Sequence, residues 1–93
     1  MNHKFLIHKR GDDVGVAVAD IVPGERVQGV FMDDDSTIEL QALDAVPLGH
    51  KIAISAVSPQ ALVLEYGLPI GMSPDGFSSG AHVHTHNIRS ARW

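Results

Sequence analysis

The sequence predicts a compact all-β domain of short strands. Apolar runs such as Phe5-Leu6-Ile7 and Val14 to Ala19 are rich in strand-forming residues, and five prolines with nine glycines separate the runs along the chain. No segment shows the spacing of three and four residues between apolar positions that indicates a convincing helix. A chain of 93 residues buries a real but small core, so we expect a single domain over residues 1–93.

An acidic run separates two of the predicted strands. Val27 to Met32 is followed by Asp33-Asp34-Asp35, and Thr37-Ile38-Glu39-Leu40-Gln41 then alternates apolar with polar residues as a strand does. A calcium site requires several oxygen ligands at set spacing, with a glycine and a later glutamate, and this run has neither. We therefore interpret the acidic run as the tip of a hairpin.

Four turn segments repeat a common plan. Each has a polar or small residue, an apolar residue and a Pro or Ser turn that ends near Gly, and each precedes an apolar strand. Such residues favour turns because Asp bonds its own backbone, Pro sets φ and Gly accepts positive φ. The segments are Asp20-Ile21-Val22-Pro23-Gly24, Asp44-Ala45-Val46-Pro47-Leu48-Gly49, Ala56-Val57-Ser58-Pro59-Gln60 and Asp75-Gly76-Phe77-Ser78-Ser79-Gly80.

Composition excludes several classes of function. The net charge of -4 and the scattered basic residues argue against nucleic acid as a partner. No apolar run is long enough to span a bilayer, no signal-peptide hydrophobic region opens the chain, and the absence of cysteine excludes disulfides and thiolate metal sites. We expect a cytoplasmic protein without membrane contact. Deep clefts are difficult to build at this size, which favours a module that completes a site on a larger partner.

Three histidines occupy alternate positions near the end of the chain, at His82, His84 and His86. On an extended strand these rings would project from one face, with successive Cα atoms about 6.6 Å apart. Imidazole is a common ligand of transition metals. A flat strand would offer two rings as a metal-binding pair and leave the third for substrate or proton transfer. A bend or bulge would be needed for all three to bind one ion.

Other interpretations of these histidines remain open. The row could be the solvated face of an edge strand with Val83 and Ile88 inward, or it could lie between copies of the chain in a homo-oligomer. His50 and Lys51 follow a Gly turn and together could bind a carboxylate or sulfonate. Without other information, the simpler interpretation of that pair is the start of a surface strand.

Several of these segments together resemble the altronate dehydratase and sulfolactate sulfo-lyase family. The similarity spans nearly the whole chain in the same order, and it is greatest to the family's separately encoded small chain. Two positions depart from the common pattern, with Glu65 in place of lysine and Ala81 in place of glutamate. The matching segments are Val14-Gly15-Val16-Ala17-Val18 with Asp20-Ile21, Pro47-Leu48-Gly49-His50-Lys51-Ile52-Ala53, Tyr66-Gly67 with Ile70-Gly71, and Gly80-Ala81-His82-Val83-His84-Thr85-His86-Asn87.

The resemblance implies a β-clip fold of the SAF type and a role as the small (alpha) subunit of a metal-assisted lyase. With a large catalytic subunit, that enzyme would eliminate sulfite from (2R)-3-sulfolactate to give pyruvate, and the small chain alone would be inactive. One alternative is the small subunit of an altronate-type sugar-acid dehydratase. A second is a non-catalytic β-clip module for ligand binding or docking.

The resemblance also implies roles for individual residues. His82, His84 and His86 are the expected metal ligands, and His84 and His86 are the expected catalytic residues. His50 and Lys51 are expected to bind the acid group of a small anionic 2-hydroxy acid. The expected cofactor is a divalent metal, Fe²⁺ in the first place, with Mn²⁺ or Zn²⁺ as alternatives.

Overall fold

The computed structural model describes residues 3–90, and over that range the chain forms nine short strands and no helix. The prediction of an all-β domain is therefore confirmed. No helix in this range is long and apolar enough to cross a membrane. The strands are β1 (Phe5–Ile7), β2 (Val14–Ala17), β3 (Arg26–Phe31), β4 (Thr37–Gln41), β5 (Lys51–Ala53), β6 (Leu62–Glu65), β7 (Leu68–Met72), β8 (His82–Val83) and β9 (Arg89–Ser90).

The described strands form two sheets. Six strands pair in the order β4-β3-β1-β2-β5-β8, and three pair in the order β6-β7-β9. All of these pairings are antiparallel except that of β1 with β3, where Phe5 lies opposite Gly29. A Cβ at Gly29 would overlap the Phe5 ring, so the glycine makes room for this fully buried side chain. The strand predicted at Thr37 is confirmed as β4.

Two clusters of buried apolar side chains form the core. The larger lies against β1, β3 and β4 and includes Phe5, Ile7, Val27 and Ile52. The smaller is positioned by β2, β5, β6 and β8, and it is the one beside the candidate site. Its buried members are Val14, Ala53, Val57, Val63, Ala81 and Val83.

Within residues 3–90, four tight turns share one backbone geometry, which confirms the four predicted turn segments. The third residue of each has a φ of 68° to 88°, and the amide of the fourth donates to the carbonyl of the first. A positive φ at that position characterises a type II turn and suits glycine. The turns are Val22-Pro23-Gly24-Glu25, Pro47-Leu48-Gly49-His50, Ser58-Pro59-Gln60-Ala61 and Ser78-Ser79-Gly80-Ala81.

The turns associate in two pairs. Ile21 and Val46 exchange two backbone hydrogen bonds of 2.9 Å, and Val57 and Phe77 do the same at 2.9 and 3.0 Å. Each turn also exchanges two backbone hydrogen bonds, of 2.6 to 3.2 Å, with one facing residue outside the turn. The amide of the third turn residue donates to the carbonyl of the facing residue, and the amide of the facing residue donates to the carbonyl of the fourth turn residue. In turn order, the facing residues are Ala42, Ala17, Ser73 and Ala53.

The acidic run is the tip of the β3–β4 hairpin, as predicted. Asp33 accepts a hydrogen bond of 3.0 Å from the Arg10 amide, and Asp34 accepts one of 2.9 Å from the Arg10 guanidinium. The hydroxyl and amide of Ser36, followed by Arg10, lower the pKa of Asp34 to about 2. These carboxylates therefore tie the hairpin tip to the loop after β1.

Gly80 and Gly24 occupy the same position in two of the turns and differ in the space around them. A Cβ at Gly80 would overlap the carbonyl oxygen of Gln41, whereas a Cβ at Gly24 would have no heavy atom within 4 Å. We expect Gly24→Ala to lower the free energy of unfolding by about 1 kcal/mol, because only the positive φ is strained. We expect Gly80→Ala to cost more than about 2 kcal/mol, because the facing backbone must also move. Urea denaturation measures both, and equal losses would contradict this account.

Candidate functional site

The histidine row bends after Val83, between its first and second members. β8 contains only His82 and Val83, and residues 84–87 form a turn. The expectation that three rings project from one extended strand is therefore wrong. The cause is Asn87, whose Oδ1 accepts from the His84 amide at 2.9 Å and whose Nδ2 donates to the His82 carbonyl at 2.8 Å. The backbone amide of Asn87 also donates to the His84 carbonyl at 3.1 Å, so the backbone turns back on itself.

Strand register brings His50 to the same place. β5 and β8 are antiparallel, with Lys51 opposite Val83. One residue further along this register, His50 lies opposite His84, and the two rings stack with centroids 4.3 Å apart. Cross-strand neighbours on one face of a sheet are close enough for such contact. Two segments separated by 32 residues along the sequence thus meet at the edge of the larger sheet.

Within the described residues, the imidazoles of His50, His82 and His84 form one cluster of candidate metal ligands. One ring nitrogen of each lies within 4.8 Å of the others. Nδ1 of His50 is 2.8 Å from Nε2 of His82. The His86 ring lies beside this triad, with its centroid 5.1 Å from that of His82, and it is exposed. The third ring of this cluster is therefore His50 and not His86, although the row bends.

Burial lowers the pKa of the His82 imidazole, and the neighbouring rings of His86, His50 and His84 lower it further because a second positive charge beside them is unfavourable. The Asp44 carboxylate acts in the opposite direction and accepts a hydrogen bond of 2.9 Å from the His82 amide. The surroundings of His82 thus favour its neutral imidazole, which is the form that binds metal ions.

A pocket of about 280 Å³ opens beside the triad. His84 belongs to both the triad and the pocket wall, whereas His50 is not among the described lining residues. Apolar side chains form much of the wall, and one ammonium and one carboxylate face the same space. The lining residues are Lys51, Glu65, Ile70, Val83, His84, Thr85 and Ile88.

Glu65 is a buried carboxylate in the pocket wall. Its side chain is only 6% exposed, and its two oxygens face different partners: Oε1 lies 3.5 Å from Nζ of Lys51, and Oε2 lies 3.5 Å from Nε2 of His8. Both distances exceed the range of about 2.7–2.9 Å for hydrogen bonds between ions. His8 in turn stacks on Tyr66 with a centroid distance of 3.7 Å.

Asp12 fixes the hairpin that carries Glu65. Its carboxylate, on a residue 4% exposed, accepts from the amides of Tyr66 and Gly67 at 2.9 Å each and from the Lys9 amide at 3.1 Å. Tyr66 and Gly67 both have positive φ, at 58° and 72°, and they form the two-residue connection between β6 and β7. The end of β6 is therefore held by hydrogen bonds between backbone amides and the Asp12 carboxylate, and not by packing alone.

The structure places the sequence-predicted site residues in two neighbouring locations, the triad and the pocket. His82 and His84 meet as ligand candidates, with His86 at their side, while Lys51 points into the pocket. Their assignments to metal, catalysis and substrate remain predictions. The sequence pattern does not predict His50 in the triad, because its place there depends on the β5–β8 register. Glu65 and His8 have no predicted role either. A carboxyl residue at the end of an apolar strand, as in Leu62-Val63-Leu64-Glu65, was the available signal.

One known protein matches the whole chain, and others match most of it. Residues 3–91 match the family model described as the altronate/galactarate dehydratase SAF domain. The (2R)-sulfolactate sulfo-lyase subunit alpha of Chromohalobacter salexigens is 36% identical over 94 aligned positions that cover all of both chains. The same subunit of Paracoccus pantotrophus is 38% identical over 69% of this chain and 96% of its own length. Altronate dehydratase of Escherichia coli is 39% identical over 85% of this chain but only 15% of its own length.

We expect Asn87→Ala to loosen the turn that carries His84. It removes one acceptor and one donor from bonds that close the turn, and two such bonds contribute about 1–3 kcal/mol. Urea denaturation should show that loss, and amide hydrogen exchange should show faster exchange at His84. Asn87→Asp is the matched control, because it retains the acceptor for the His84 amide and loses only the donor. A smaller loss of stability and a still-protected His84 amide are expected for it, and identical behaviour of the two variants would contradict this assignment.

Proposed function

The chain belongs to the altronate/galactarate dehydratase SAF domain family, and on that basis we propose that it is the small subunit of a lyase that eliminates sulfite from (2R)-3-sulfolactate. The observation that carries this proposal is a three-imidazole cluster that opens onto a small pocket containing Lys51. Similarity to sulfo-lyase alpha subunits over nearly their whole length supports this substrate over a sugar acid.

The donor set of the triad fits a divalent metal. Two nitrogens on one ion at about 2.1 Å can lie at most about 4.2 Å apart. The ligand nitrogens of His50, His82 and His84 all lie within 4.8 Å of one another, so small rotations of the rings suffice. Imidazole suits iron, zinc and several other divalent ions. Fe²⁺ is the ion we propose, with Mn²⁺ or Zn²⁺ as alternatives.

A divalent ion at this site would act as a Lewis acid that stabilises negative charge on the substrate oxygens. The chain's own residues supply binding and proton transfer. Lys51 offers its ammonium to an anionic group in the pocket, and Ile70, Val83 and Ile88 contact the carbon chain. We assign proton transfer to His86, which is exposed beside the triad. In the reaction a base removes the C2 proton, the C3–S bond breaks, sulfite leaves with the electron pair, and the resulting enol becomes pyruvate.

A large partner subunit completes this proposal. His84 and His86 are exposed, and the pocket is open at the surface of a small domain, so a second chain is needed to exclude water from the reacting groups. The named relatives of similar length are alpha subunits, and in the dehydratase relatives the matching region is a small part of a long chain. We propose that this chain likewise acts together with a large catalytic subunit and is inactive alone.

We expect the isolated chain to bind Co²⁺, used as a probe for the native metal, through the triad. His84→Ala should weaken binding by about tenfold or more, because loss of a direct ligand exceeds the usual effect of an outer-sphere change. His86→Ala is the control and should change the dissociation constant by less than about threefold. Calorimetry and the visible spectrum of Co²⁺ measure both. An equal loss of Co²⁺ affinity in the two variants would contradict the assignment of His50, and not His86, as the third ligand of the triad.

We expect the chain reconstituted with its large subunit to release sulfite and pyruvate in equal amounts from (2R)-3-sulfolactate. Lys51→Met should lower kcat/KM by about tenfold or more, because a charge-assisted contact to the anionic substrate is lost. Lys4→Met, at a lysine outside the pocket lining, should leave kcat/KM unchanged. Water loss from altronate without sulfite release would identify a sugar-acid dehydratase. No turnover of either acid, with a stable metal-free monomer, would identify a non-catalytic module.

A further inference from the structure

Glu65 stands out among the pocket residues because its carboxylate is buried without a short hydrogen bond. Its side chain is 6% exposed, and each oxygen has a cationic or potentially cationic neighbour only at 3.5 Å. Among the described residues, the two ionic neighbours of this carboxylate, Lys51 and His8, both lie beyond the ordinary range of a charge-assisted hydrogen bond. Each oxygen is in an ion pair, but neither pair is as short as a charge-assisted hydrogen bond, so a donor on a pocket ligand would add a short bond to this carboxylate.

The charges in the pocket define what such a ligand must carry. Lys51 supplies one positive charge, and the Glu65 carboxylate beside it supplies one negative charge. A simple anion would gain from Lys51 and be repelled by Glu65 at similar range, so the two effects oppose each other. A ligand with both an anionic group and a hydroxyl satisfies the ammonium and the carboxylate together.

We propose that Glu65 is the specificity-determining residue of this pocket and that it selects a hydroxy acid by accepting a hydrogen bond from the ligand's hydroxyl. The anionic group of the same ligand meets Lys51, and the apolar wall accepts its carbons. The identification of that acid as (2R)-3-sulfolactate rests on the proposed function. Selection of a hydroxylated over a deoxygenated acid rests on Glu65.

The carboxylate is held in place before any ligand arrives. Asp12 fixes the connection directly after Glu65 through the amides of Tyr66 and Gly67. His8 contacts the second carboxylate oxygen and is itself stacked on Tyr66. A rigid acceptor discriminates strongly, because a ligand without the hydroxyl leaves this carboxylate with only its 3.5 Å contacts to Lys51 and His8.

The test measures ligand binding to the full chain by NMR titration with three probes: (2R)-3-sulfolactate, 3-sulfopropionate, which lacks the hydroxyl, and sulfate as a simple anion. The wild-type chain should bind sulfolactate at least about tenfold more tightly than 3-sulfopropionate. Glu65→Met, which has neither charge nor a strong acceptor, should reduce that ratio to about one. Glu65→Gln, which retains a neutral acceptor, should give an intermediate ratio.

Both variants should bind sulfate more tightly than the wild type, because the repelling carboxylate is gone. Leu62→Gln is the control on the same strand, since Leu62 is exposed and outside the pocket lining, and it should leave all three affinities unchanged. A damaged fold would weaken the binding of every probe. The expected result is instead tighter binding of sulfate together with a lower preference for sulfolactate over 3-sulfopropionate.

Two outcomes separate this inference from the proposed function. An unchanged ratio in Glu65→Met, with sulfite still released by the two-subunit enzyme, would overturn the role of Glu65 and leave the proposed function intact. A ratio that depends on Glu65, without sulfite release, would support the inference and overturn the proposed reaction. No binding of any probe to the wild-type chain would overturn the inference.

Discussion

One backbone interaction, made four times, determines the rest of the structure. Each type II turn bonds to a facing residue, which bonds back to it, and the turns join in pairs through the Ile21–Val46 and Val57–Phe77 bridges. Backbone amides and carbonyls must be paired when they are buried, so this exchange satisfies the backbone polar groups of the connections between strands. Turn geometry also fixes the residue at which the next strand begins, and hence its register.

The site follows from two of these turns. His50 is the fourth residue of the second turn, and His82 follows the fourth residue of the last turn. Because both turns lead into neighbouring strands, Lys51 pairs with Val83. Alternation along the strands then separates the functions: His50 and His82 extend towards the triad, while Lys51 and Val83 line the pocket. The turn closed by Asn87 allows His84 to reach both.

Two buried carboxylates show how similar burial can serve different purposes. Asp12 is saturated by three backbone amides, and its role is to hold the β6–β7 hairpin in place. Glu65 directly precedes that hairpin connection. Its carboxylate lies 3.5 Å from each of His8 and Lys51 and borders the pocket. A carboxylate surrounded by amides is structural, whereas one that borders a pocket has capacity left for a ligand. Hydrogen-bond saturation, rather than burial, distinguishes the two.

The sequence by itself determined the all-β class, the four turns, the hairpin tip at Asp33-Asp34-Asp35 and the family, because these follow from local turn chemistry, from alternation and from motif order. The His82, His84 and His86 pattern also identified the right region. Only the tertiary structure decided that the row bends after Val83, that His50 completes the triad, and that Glu65 lies beside Lys51 in the pocket wall. Those features depend on which residues pair across strands far apart in the chain, and local sequence preferences carry no information about that register.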